Sequence, residues 1–524
     1  MRLRPPALDR PGDSWRLSGP PDLRLAVGQN APVPMVSYPR QLADLAAADP
    51  DRPSVTDEHR TVTRAELEQL ASDTAEAFAT SGVGQGDIVV LALPNCVEFL
   101  AAMIAAWKVG ATPTPVSSRL PKRELDGIVE LAAPALIVGV DPSEHPDVRC
   151  LPRGWVPDPA PPGASEARLD TVSDPWKGMT SGGSTGRPKL ILNTAPALVD
   201  PDANPLLMMK PDGTLVMPGP LYHNGPFMWS VTGLLAGNHV ILGGKFDAQR
   251  TLELVDRHQP ETMYVVPTMM ARISKLPDEV RARYDVSSLK VVWHLGAPCP
   301  PWLKEMWIDW LGPDAIWELY AGTEAQAATI ITGSEWLAHR GSVGRSLAGE
   351  MKVVRADGTD ADPGEIGEIF MRPNNPDTKT YSYVGASAKR IEGGWESLGD
   401  MGAIDADGYV FLADRQTDMI LAGGSNVYPA EVEAALDEHP RVASSAVIGL
   451  PDEDLGSRIH AIVQTDDGSP IDVDELRAHL GDRLVRYKVP RDFEFTTEPL
   501  RDDAGKIRRS ALRAERVGRE VPST

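Results

Sequence analysis

Apolar positions in the first part of the chain follow two different spacings. Residues 67–81 carry apolar side chains at intervals of three and four residues, which predicts an amphipathic helix, and the longer apolar segment 97–109 predicts a second helix. Residues 87–93 and 135–140 are short apolar runs between turn-forming residues, which predicts buried strands. Because strands and helices alternate, this region predicts a layered α/β domain.

The same alternation resumes after residue 174 and gives way near residue 349 to short strands separated by turns. Residues 141–174, rich in Pro, Gly and Asp, predict a surface connection between the two stretches. The later strands are separated by turn signals at Asp357-Gly358, Asp362-Pro363-Gly364 and Asp407-Gly408.

A separate pattern begins after residue 414. It predicts helices at 430–438 and 473–485 and strands at 442–449 and 458–464, which together suffice for a small α+β domain. We therefore predict an N-terminal domain over 1–414, a hinge at 415–418 and a C-terminal domain over 419–524. Residues 1–40 are rich in Pro, Asp and Arg and are predicted to form an extended arm.

Composition narrows the protein class. The 524 residues are 42% hydrophobic and 24% charged, as in ordinary globular proteins. A net charge of −22, with no dense Lys/Arg run, argues against nucleic-acid and acidic-membrane partners. Cys96, Cys150 and Cys299 are too far apart for a disulfide framework or a zinc site, so we expect a reducing cytoplasm. The longest apolar run, 99–107, is too short to span a membrane.

The strongest chemical signal is the glycine-rich segment 179–189, which reads Met-Thr-Ser-Gly-Gly-Ser-Thr-Gly-Arg-Pro-Lys. Small residues let the backbone turn its N–H groups toward an anion, and the Ser and Thr hydroxyls add donors. The spacing is not that of a Walker A loop. A flexible linker is the competing interpretation, but the apolar run 190–193 directly after Pro188 and Lys189 favours a phosphate-binding loop.

Three further segments follow in order. They read Trp-Glu-Leu-Tyr-Ala-Gly-Thr-Glu at 317–324, Ser-Leu-Gly-Asp-Met-Gly at 397–402 and Asp-Ala-Gly-Lys-Ile-Arg-Arg at 503–509. With the glycine-rich segment they resemble motifs of the adenylate-forming superfamily, which contains acyl-CoA synthetases, peptide-synthetase adenylation domains and luciferases. The resemblance covers roughly residues 40–515. It implies a large N-terminal domain of layered α/β subdomains plus a distorted β-barrel, and a small, mobile α+β C-terminal domain that rotates between two catalytic poses.

The resemblance also assigns nucleotide contacts. It implies that Tyr320 stacks on adenine, Thr323 contacts the α-phosphate, and Asp400 and Arg415 hold the ribose. Glu324, together with Thr185, is implied to carry Mg²⁺, which prefers hard oxygen ligands. The remaining implied contacts are the phosphate loop Ser181, Gly182, Gly183, Ser184, Thr185, Gly186 and Lys189, and the adenine wall Gly296, Ala297 and Pro298.

Three positions report on the reaction steps that the resemblance implies. Lys506 enters the site during adenylation, where an ammonium stabilises charge building on the α-phosphate. His223, in 220–226, gates or orients the acid, and Gly424 lines a tunnel for pantetheine. Catalytic roles fall to Lys506, Glu324, Thr185 and His223. The hinge pivot is either Thr417 or Asp418.

The implied reaction converts a carboxylic acid and ATP to acyl-AMP and pyrophosphate and then transfers the acyl group to coenzyme A. Gly424 and the segment 452–460, which resembles that of acyl-CoA synthetases, favour this reading. The alternative is an amide synthetase with an amine acceptor. A non-catalytic nucleotide binder is a third, opposed by Glu324, Asp400 and Lys506. The expected cofactors are ATP and Mg²⁺, and a homodimer is compatible with the sequence.

Overall fold

The computed structural model describes residues 35–182, 188–203, 206–415, 418–422, 425–452, 456–466, 468–502 and 505–517. Most of the predicted arm therefore lies outside the described residues. Of its last residues, Val36–Ser37 form a strand that leads into the helix Tyr38–Ala48, which the Ser37 hydroxyl caps by accepting from the backbone N–H of Arg40.

The centre of the molecule is a mixed sheet whose middle strands are parallel. In spatial order these strands are Pro53–Thr56, His239–Leu242, Thr214–Met217, Thr262–Val265, Val291–His294 and Ile316–Ala321. The helices that follow or precede them are Arg64–Thr80, Val97–Lys108, Asn224–Leu235, Ala248–His258, Pro267–Ser274, Asp278–Arg281 and Pro301–Leu311. Parallel strands joined through helices require crossover connections, as the alternating pattern predicts.

The turn-rich strands extend this sheet in antiparallel fashion beyond Ile316–Ala321. They are Ala328–Thr332, Ser342–Ala348, Tyr409–Arg415, Trp395–Ile404, Gly367–Arg372 and Glu350–Val354, with Lys389–Ile391 beside Trp395–Ile404 and the helix Gly333–Ala338 after Ala328–Thr332. Thr61–Thr63 pairs antiparallel with Pro53–Thr56 at the opposite edge.

Two smaller sheets complete the large unit. One is parallel and contains Thr112–Pro115, Ile88–Leu91, Leu136–Val138 and Cys150–Leu151, with the helix Lys122–Ala132 between its strands. The other is antiparallel and contains Tyr381–Val384, Pro188–Asn193 and Gly178–Gly182. Leu198–Val199 pairs with Val36–Ser37. The predicted surface connection 141–174 thus contributes one short strand to a sheet.

Residues from 418 onward build a separate α+β unit around its own apolar cluster. It contains the hairpin Ile420–Ala422 and Ser425–Val427, the strands Ser444–Asp452, Gly456–Gln464 and Asp492–Thr496, and the helices Pro429–Asp437, Val473–Gly481 and Arg509–Val517. The predicted helix 473–485 ends earlier, at Gly481, because Gly is a poor helix former and the chain turns there. The predicted mixed α/β fold with a small α+β unit is confirmed, while the hinge at 415–418 stays a prediction.

The main core is rich in aromatic residues. The helix Val97–Lys108 is buried at every residue except Glu98, and its Trp107 contacts Trp176 at a ring-centroid distance of 6.4 Å. Trp176 in turn lies 5.9 Å from Phe227 on the helix Asn224–Leu235. This cluster fixes Asn224–Leu235 against the segment that leads into the glycine-rich loop.

Candidate functional site

The parallel strands of the main sheet end at one edge, and the predicted site residues follow those ends. His223 comes after Thr214–Met217, Gly296 after Val291–His294, and Glu324 after Ile316–Ala321. Parallel strands in register place the segments that follow them side by side, and open α/β sheets bind ligands at their carboxyl ends. The sheet topology therefore brings these sequence-distant residues to one edge.

His223 is the residue before the helix Asn224–Leu235, and its imidazole is largely buried. Its Nε2 atom is buried and has no hydrogen-bond partner among the described residues. Burial, and then the Lys506 ammonium, lower the pKa of His223 to about 4, although Asp502 opposes the shift. The imidazole is therefore neutral at neutral pH and suited to hydrogen bonding rather than to carrying charge.

Lys506, on the small unit, lies near His223 because the loop that carries it approaches the large unit closely. A Cβ on Gly505 would lie 2.1 Å from Thr268 Oγ1, so only glycine fits, and its φ of +76° also favours glycine. Thr268 Oγ1 is itself buried without a hydrogen-bond partner in the described part of the chain. The loop carrying Lys506 thus docks against an unsatisfied imidazole and an unsatisfied hydroxyl.

Thr268 was not predicted from the sequence. It lies one residue after Pro267, at the start of the helix Pro267–Ser274, which directly follows the strand Thr262–Val265. The available signal was a Pro-Thr pair after an apolar run, which marks a helix N-terminus at a strand end. That signal places Thr268 at the end of a strand but does not show that its hydroxyl could bind a ligand.

The predicted nucleotide residues converge on neighbouring strands. The Tyr320 hydroxyl donates to Asp400 Oδ2 at 2.9 Å. Asp400 lies on Trp395–Ile404 opposite Arg415, whose strand is Tyr409–Arg415. Gly296 has a φ of +89° and starts the turn that contains Ala297 and Pro298 beside the Tyr320 strand. The structure thus brings the predicted adenine and ribose contacts together, while their roles remain predictions.

Glu324 is buried, with 4% of its surface exposed. Its carboxylate accepts hydrogen bonds from side chains of the three-stranded sheet that contains Pro188–Asn193 and Tyr381–Val384. Lys189 Nζ donates to Glu324 Oε1 at 3.1 Å, and the Tyr383 hydroxyl donates to the same oxygen. Lys189 Nζ also lies 3.0 Å from the Tyr383 hydroxyl and 4.3 Å from its ring centroid. Burial and the Glu324 carboxylate raise the pKa of Tyr383 well above its usual value. Tyr383 was missed, since only the strand pairing shows that Tyr383 and Glu324 meet.

The turn between Ile316–Ala321 and Glu324 contains the pair Ala321-Gly322, where the resemblance leads one to expect Gly first. A Cβ on Gly322 would lie 2.2 Å from Leu398 Cδ1 and 3.0 Å from Glu324 Oε2. Glycine at 322 therefore leaves the room that the Glu324 carboxylate occupies. Thr323 is half-buried in this turn.

The glycine-rich segment joins two antiparallel strands, Gly178–Gly182 and Pro188–Asn193, with Gly182 opposite Pro188. Gly183, Ser184, Thr185 and Gly186 themselves lie outside the described residues, as do Thr417, Gly424 and the side chains of Ser181 and Arg415. Their predicted roles stay predictions.

The chain matches two protein-family models in sequence order. Residues 42–376 match the AMP-binding enzyme model, and residues 431–506 match the AMP-binding enzyme C-terminal domain. The chain belongs to the AMP-binding enzyme family. The two matched segments fall on the large unit and on the small unit that carries Lys506.

Known members of the family resemble this chain over most of its length. Feruloyl-CoA synthase from an Amycolatopsis species is 33% identical over 470 residues, covering 86% of this chain and 93% of the relative. The o-succinylbenzoate CoA synthetase of Bacillus subtilis, solved with its acyl-adenylate intermediate, is 25% identical with a TM-score of 0.75, covering 90% of this chain and 98% of that one. The amide bond synthetase of Marinactinospora thermotolerans, 24% identical, shares the fold with a TM-score of 0.72 over 91% and 99% of the two chains.

These matches confirm the predicted family and the prediction of an AMP-forming ligase. None of the helices in the described ranges has both the length and the hydropathy needed to cross a bilayer.

Proposed function

We propose that this protein activates a carboxylic acid with ATP, releasing pyrophosphate, and transfers the acyl group from acyl-AMP to coenzyme A. The observation that carries the proposal is the Lys506 loop docked at the sheet edge against His223 Nε2 and Thr268 Oγ1, two buried groups without hydrogen-bond partners in the described chain. Unsatisfied buried polar atoms are costly unless a ligand completes them.

In the first step a carboxylate oxygen of the acid attacks the α-phosphorus of ATP, and the bond to the oxygen bridging the α- and β-phosphates breaks. The Thr268 hydroxyl and the neutral His223 imidazole can hold the carboxylate by hydrogen bonds. The Lys506 ammonium offsets negative charge as the carboxylate approaches the α-phosphate. Tyr320 and Asp400 support this step by positioning the nucleoside.

Magnesium fits the residues at the triphosphate end. Glu324 supplies a buried hard-oxygen ligand at the strand end, and the described residues contain no cluster of three His, Cys, Asp or Glu side chains that would bind a metal alone. A site with one carboxylate suits Mg²⁺, which takes its other ligands from water and substrate phosphates. When bound with Glu324 and Thr185, the ion would neutralise triphosphate charge.

In the second step the thiol of coenzyme A attacks the acyl carbon, the bond to the AMP oxygen breaks, and the thiol proton passes to solvent. We propose that the small unit rotates between the steps, withdrawing Lys506 and presenting Gly424 to the pantetheine chain. Feruloyl-CoA synthase, by its name, makes a CoA thioester, and similarity over 86% of this chain supports the same acceptor. An amide synthetase would use the same adenylate with an amine.

The test is product identity by mass spectrometry with ATP, a panel of carboxylic acids, and either coenzyme A or an amine. We expect AMP, pyrophosphate and an acyl-CoA thioester. A Gly424→Leu variant should retain acid-dependent pyrophosphate exchange and lose the thioester, because the leucine side chain would fill the pantetheine route. If the wild-type enzyme makes amides but no thioester with any accepted acid, the acceptor is an amine and not coenzyme A.

The cytoplasmic location, finally, is proposed from the cysteines. Cys96, Cys150 and Cys299 are all unpaired, as expected in a reducing compartment.

A further inference from the structure

Lys177 is a buried cation that the reaction described above does not use. It lies directly before the strand Gly178–Gly182 and is only 2% exposed. Its Nζ donates to the side-chain oxygen of Asn224 and lies 4.6 Å from the ring centroid of Trp176. Among the described residues no carboxylate lies within ion-pair distance of it. An amide oxygen and an aromatic face are weak compensation for a buried ammonium.

The other fully buried lysines of the described chain are compensated differently. Lys108 Nζ lies 2.6 Å from a Glu68 oxygen, and Lys304 Nζ lies 2.5 Å from Glu318. Buried charges are normally paired in this way, because removing a partner leaves an uncompensated charge. Burial alone lowers the pKa of Lys177 to about 7, with no charged partner acting on it. Among the fully buried lysines of the described chain, Lys177 therefore differs in having no carboxylate partner.

Lys177 is connected through its hydrogen-bond partner to His223, the residue proposed to hold the acid. Its partner Asn224 is the neighbour of His223 in the chain and opens the helix Asn224–Leu235. The next residue, Gly225, packs so closely on Tyr264 that a Cβ there would lie 2.3 Å from the Tyr264 hydroxyl. Trp229, one turn further along the helix, is buried with an Nε1 atom that has no partner in the described residues.

Lys177 does not serve the phosphates. Gly182, the last described residue before the glycine-rich loop, is five positions further along, at the end of the extended strand Gly178–Gly182, so Lys177 and Gly182 lie roughly 16–17 Å apart. Because Asn224 directly follows His223, the Lys177–Asn224 pair lies next along the chain to the imidazole proposed above to hold the reacting carboxylate.

Building on the proposed function, we propose that the Lys177–Asn224 pair binds a second oxygen group of the acid, remote from the reacting carboxylate. The substrate is then a bifunctional acid whose second group is a carboxylate or a ring hydroxyl. Either oxygen accepts a charge-assisted hydrogen bond from the Lys177 ammonium. A plain hydrocarbon acid leaves that ammonium uncompensated and binds more weakly.

The test compares acids matched in shape, which separates the two kinds of oxygen group. One series is benzoate, 4-hydroxybenzoate and terephthalate, a second is cinnamate with its 4-hydroxy and 4-carboxy derivatives, and a third is hexanoate with adipate. We expect wild-type kcat/KM, from pyrophosphate release, to favour an oxygen-bearing member over its plain parent by about 10-fold or more, since sites built for a polar group discriminate strongly against its absence.

Two variants separate recognition from structural support. Lys177→Met keeps the length of the side chain and removes the charge, and Asn224→Asp supplies a carboxylate of nearly the same size that would pair with Lys177. Both should bring the ratio of kcat/KM between oxygen-bearing and plain acids to about 1. Lys108→Met, which removes a buried lysine already paired with Glu68, should leave the ratio as in wild type.

The outcomes are distinguishable. A wild-type preference for the plain acids, or variants that lower both members of a pair equally, would overturn the role of Lys177. The same acids are also tested by thermal-shift binding to the wild-type protein and to Lys177→Met. If no acid supports pyrophosphate release but oxygen-bearing acids stabilise only the wild type, the proposed ligase activity fails and the binding role of Lys177 stands.

Discussion

At the scale of single residues, the site is marked by polar groups whose bonding is unfinished or shared. His223 Nε2 and Thr268 Oγ1 are buried without partners in the described chain, whereas Glu324 is over-supplied with donors from Lys189 and Tyr383. Natural proteins satisfy most buried polar groups, and these two atoms lie together at the strand ends where the Lys506 loop docks, so they can bond a ligand there. A cation at Glu324 would compete with the lysine and the phenol for the same oxygen.

Replacing Tyr383 by phenylalanine tests that competition. The variant removes one donor from Glu324 and leaves the ring, so the carboxylate becomes more available to Mg²⁺. We expect the Mg²⁺ concentration for half-maximal pyrophosphate exchange to fall by about 3- to 10-fold, the scale of one typical net hydrogen bond. Tyr381→Phe is the matched control, because the Tyr381 hydroxyl donates to Glu396 at 2.6 Å instead. An unchanged or higher Mg²⁺ requirement in Tyr383→Phe would separate Tyr383 from the metal site.

At the scale of secondary-structure elements, periodicity located most helices but not their ends. The helix predicted at 97–109 is found at Val97–Lys108, whereas the helix predicted at 67–81 begins earlier, at Arg64. Its first turn is set by a capping box between Thr63 and Glu66, which an apolar count does not detect.

The strand Asp492–Thr496 was not predicted. It is half-buried at the edge of its sheet and pairs only with Gly456–Gln464, so its apolar signal is short. The nucleotide motifs could be found because their residue types recur in a fixed order. Thr268, Tyr383 and Lys177 could not be found in that way, since each acquires its neighbours only when separate strands and helices pack together.

The turn before Glu324 gives a prediction at this scale. Gly322→Ala adds a methyl group against Leu398 and close to Glu324 Oε2, so the carboxylate must move. We expect adenylation to fall by about 10-fold, while the free energy of unfolding falls by only about 1–2 kcal/mol because the Leu398 side chain can shift. Urea unfolding and pyrophosphate exchange measure the two effects. Gly84→Ala is the control: its Cβ would meet no atom within 4 Å. Equal activity of the two variants would contradict the role given to this turn.

At the scale of the whole molecule, polar contacts join described residues of the two units. Lys275 Nζ donates to the backbone oxygen of Val442, and Arg508 Nη1 lies 3.3 Å from Glu124 Oε1. Burial lowers the pKa of Lys275, and carboxylates of the small unit at Asp437 and Asp466 oppose the shift. Polar contacts of this kind can break and form again, which suits a unit that has to leave and return.

Lys275→Met removes one of these contacts and should therefore disfavour the docked arrangement. We expect pyrophosphate exchange to fall by about 3- to 10-fold, while consumption of supplied acyl-AMP by coenzyme A is not reduced. The control is Lys290→Met, whose Nζ donates to the Ser287 carbonyl at 2.9 Å within the large unit. Equal losses in both half-reactions of Lys275→Met would show that the contact supports stability rather than the adenylating arrangement.

The docked Lys506 is proposed to serve the formation of acyl-AMP from an acid and ATP. This role is tested most directly by acid-dependent exchange of labelled pyrophosphate into ATP, measured for the wild type and for Lys506→Ala, with consumption of synthetic acyl-AMP by coenzyme A followed in the same preparations. Lys488→Ala is the control, since Lys488 pairs with Glu431 at 2.6 Å inside the small unit. We expect exchange that requires acid and falls about 10²-fold or more in Lys506→Ala, with acyl-AMP consumption largely retained. Exchange that is independent of added acid, or an equal loss of both half-reactions in Lys506→Ala, would contradict it.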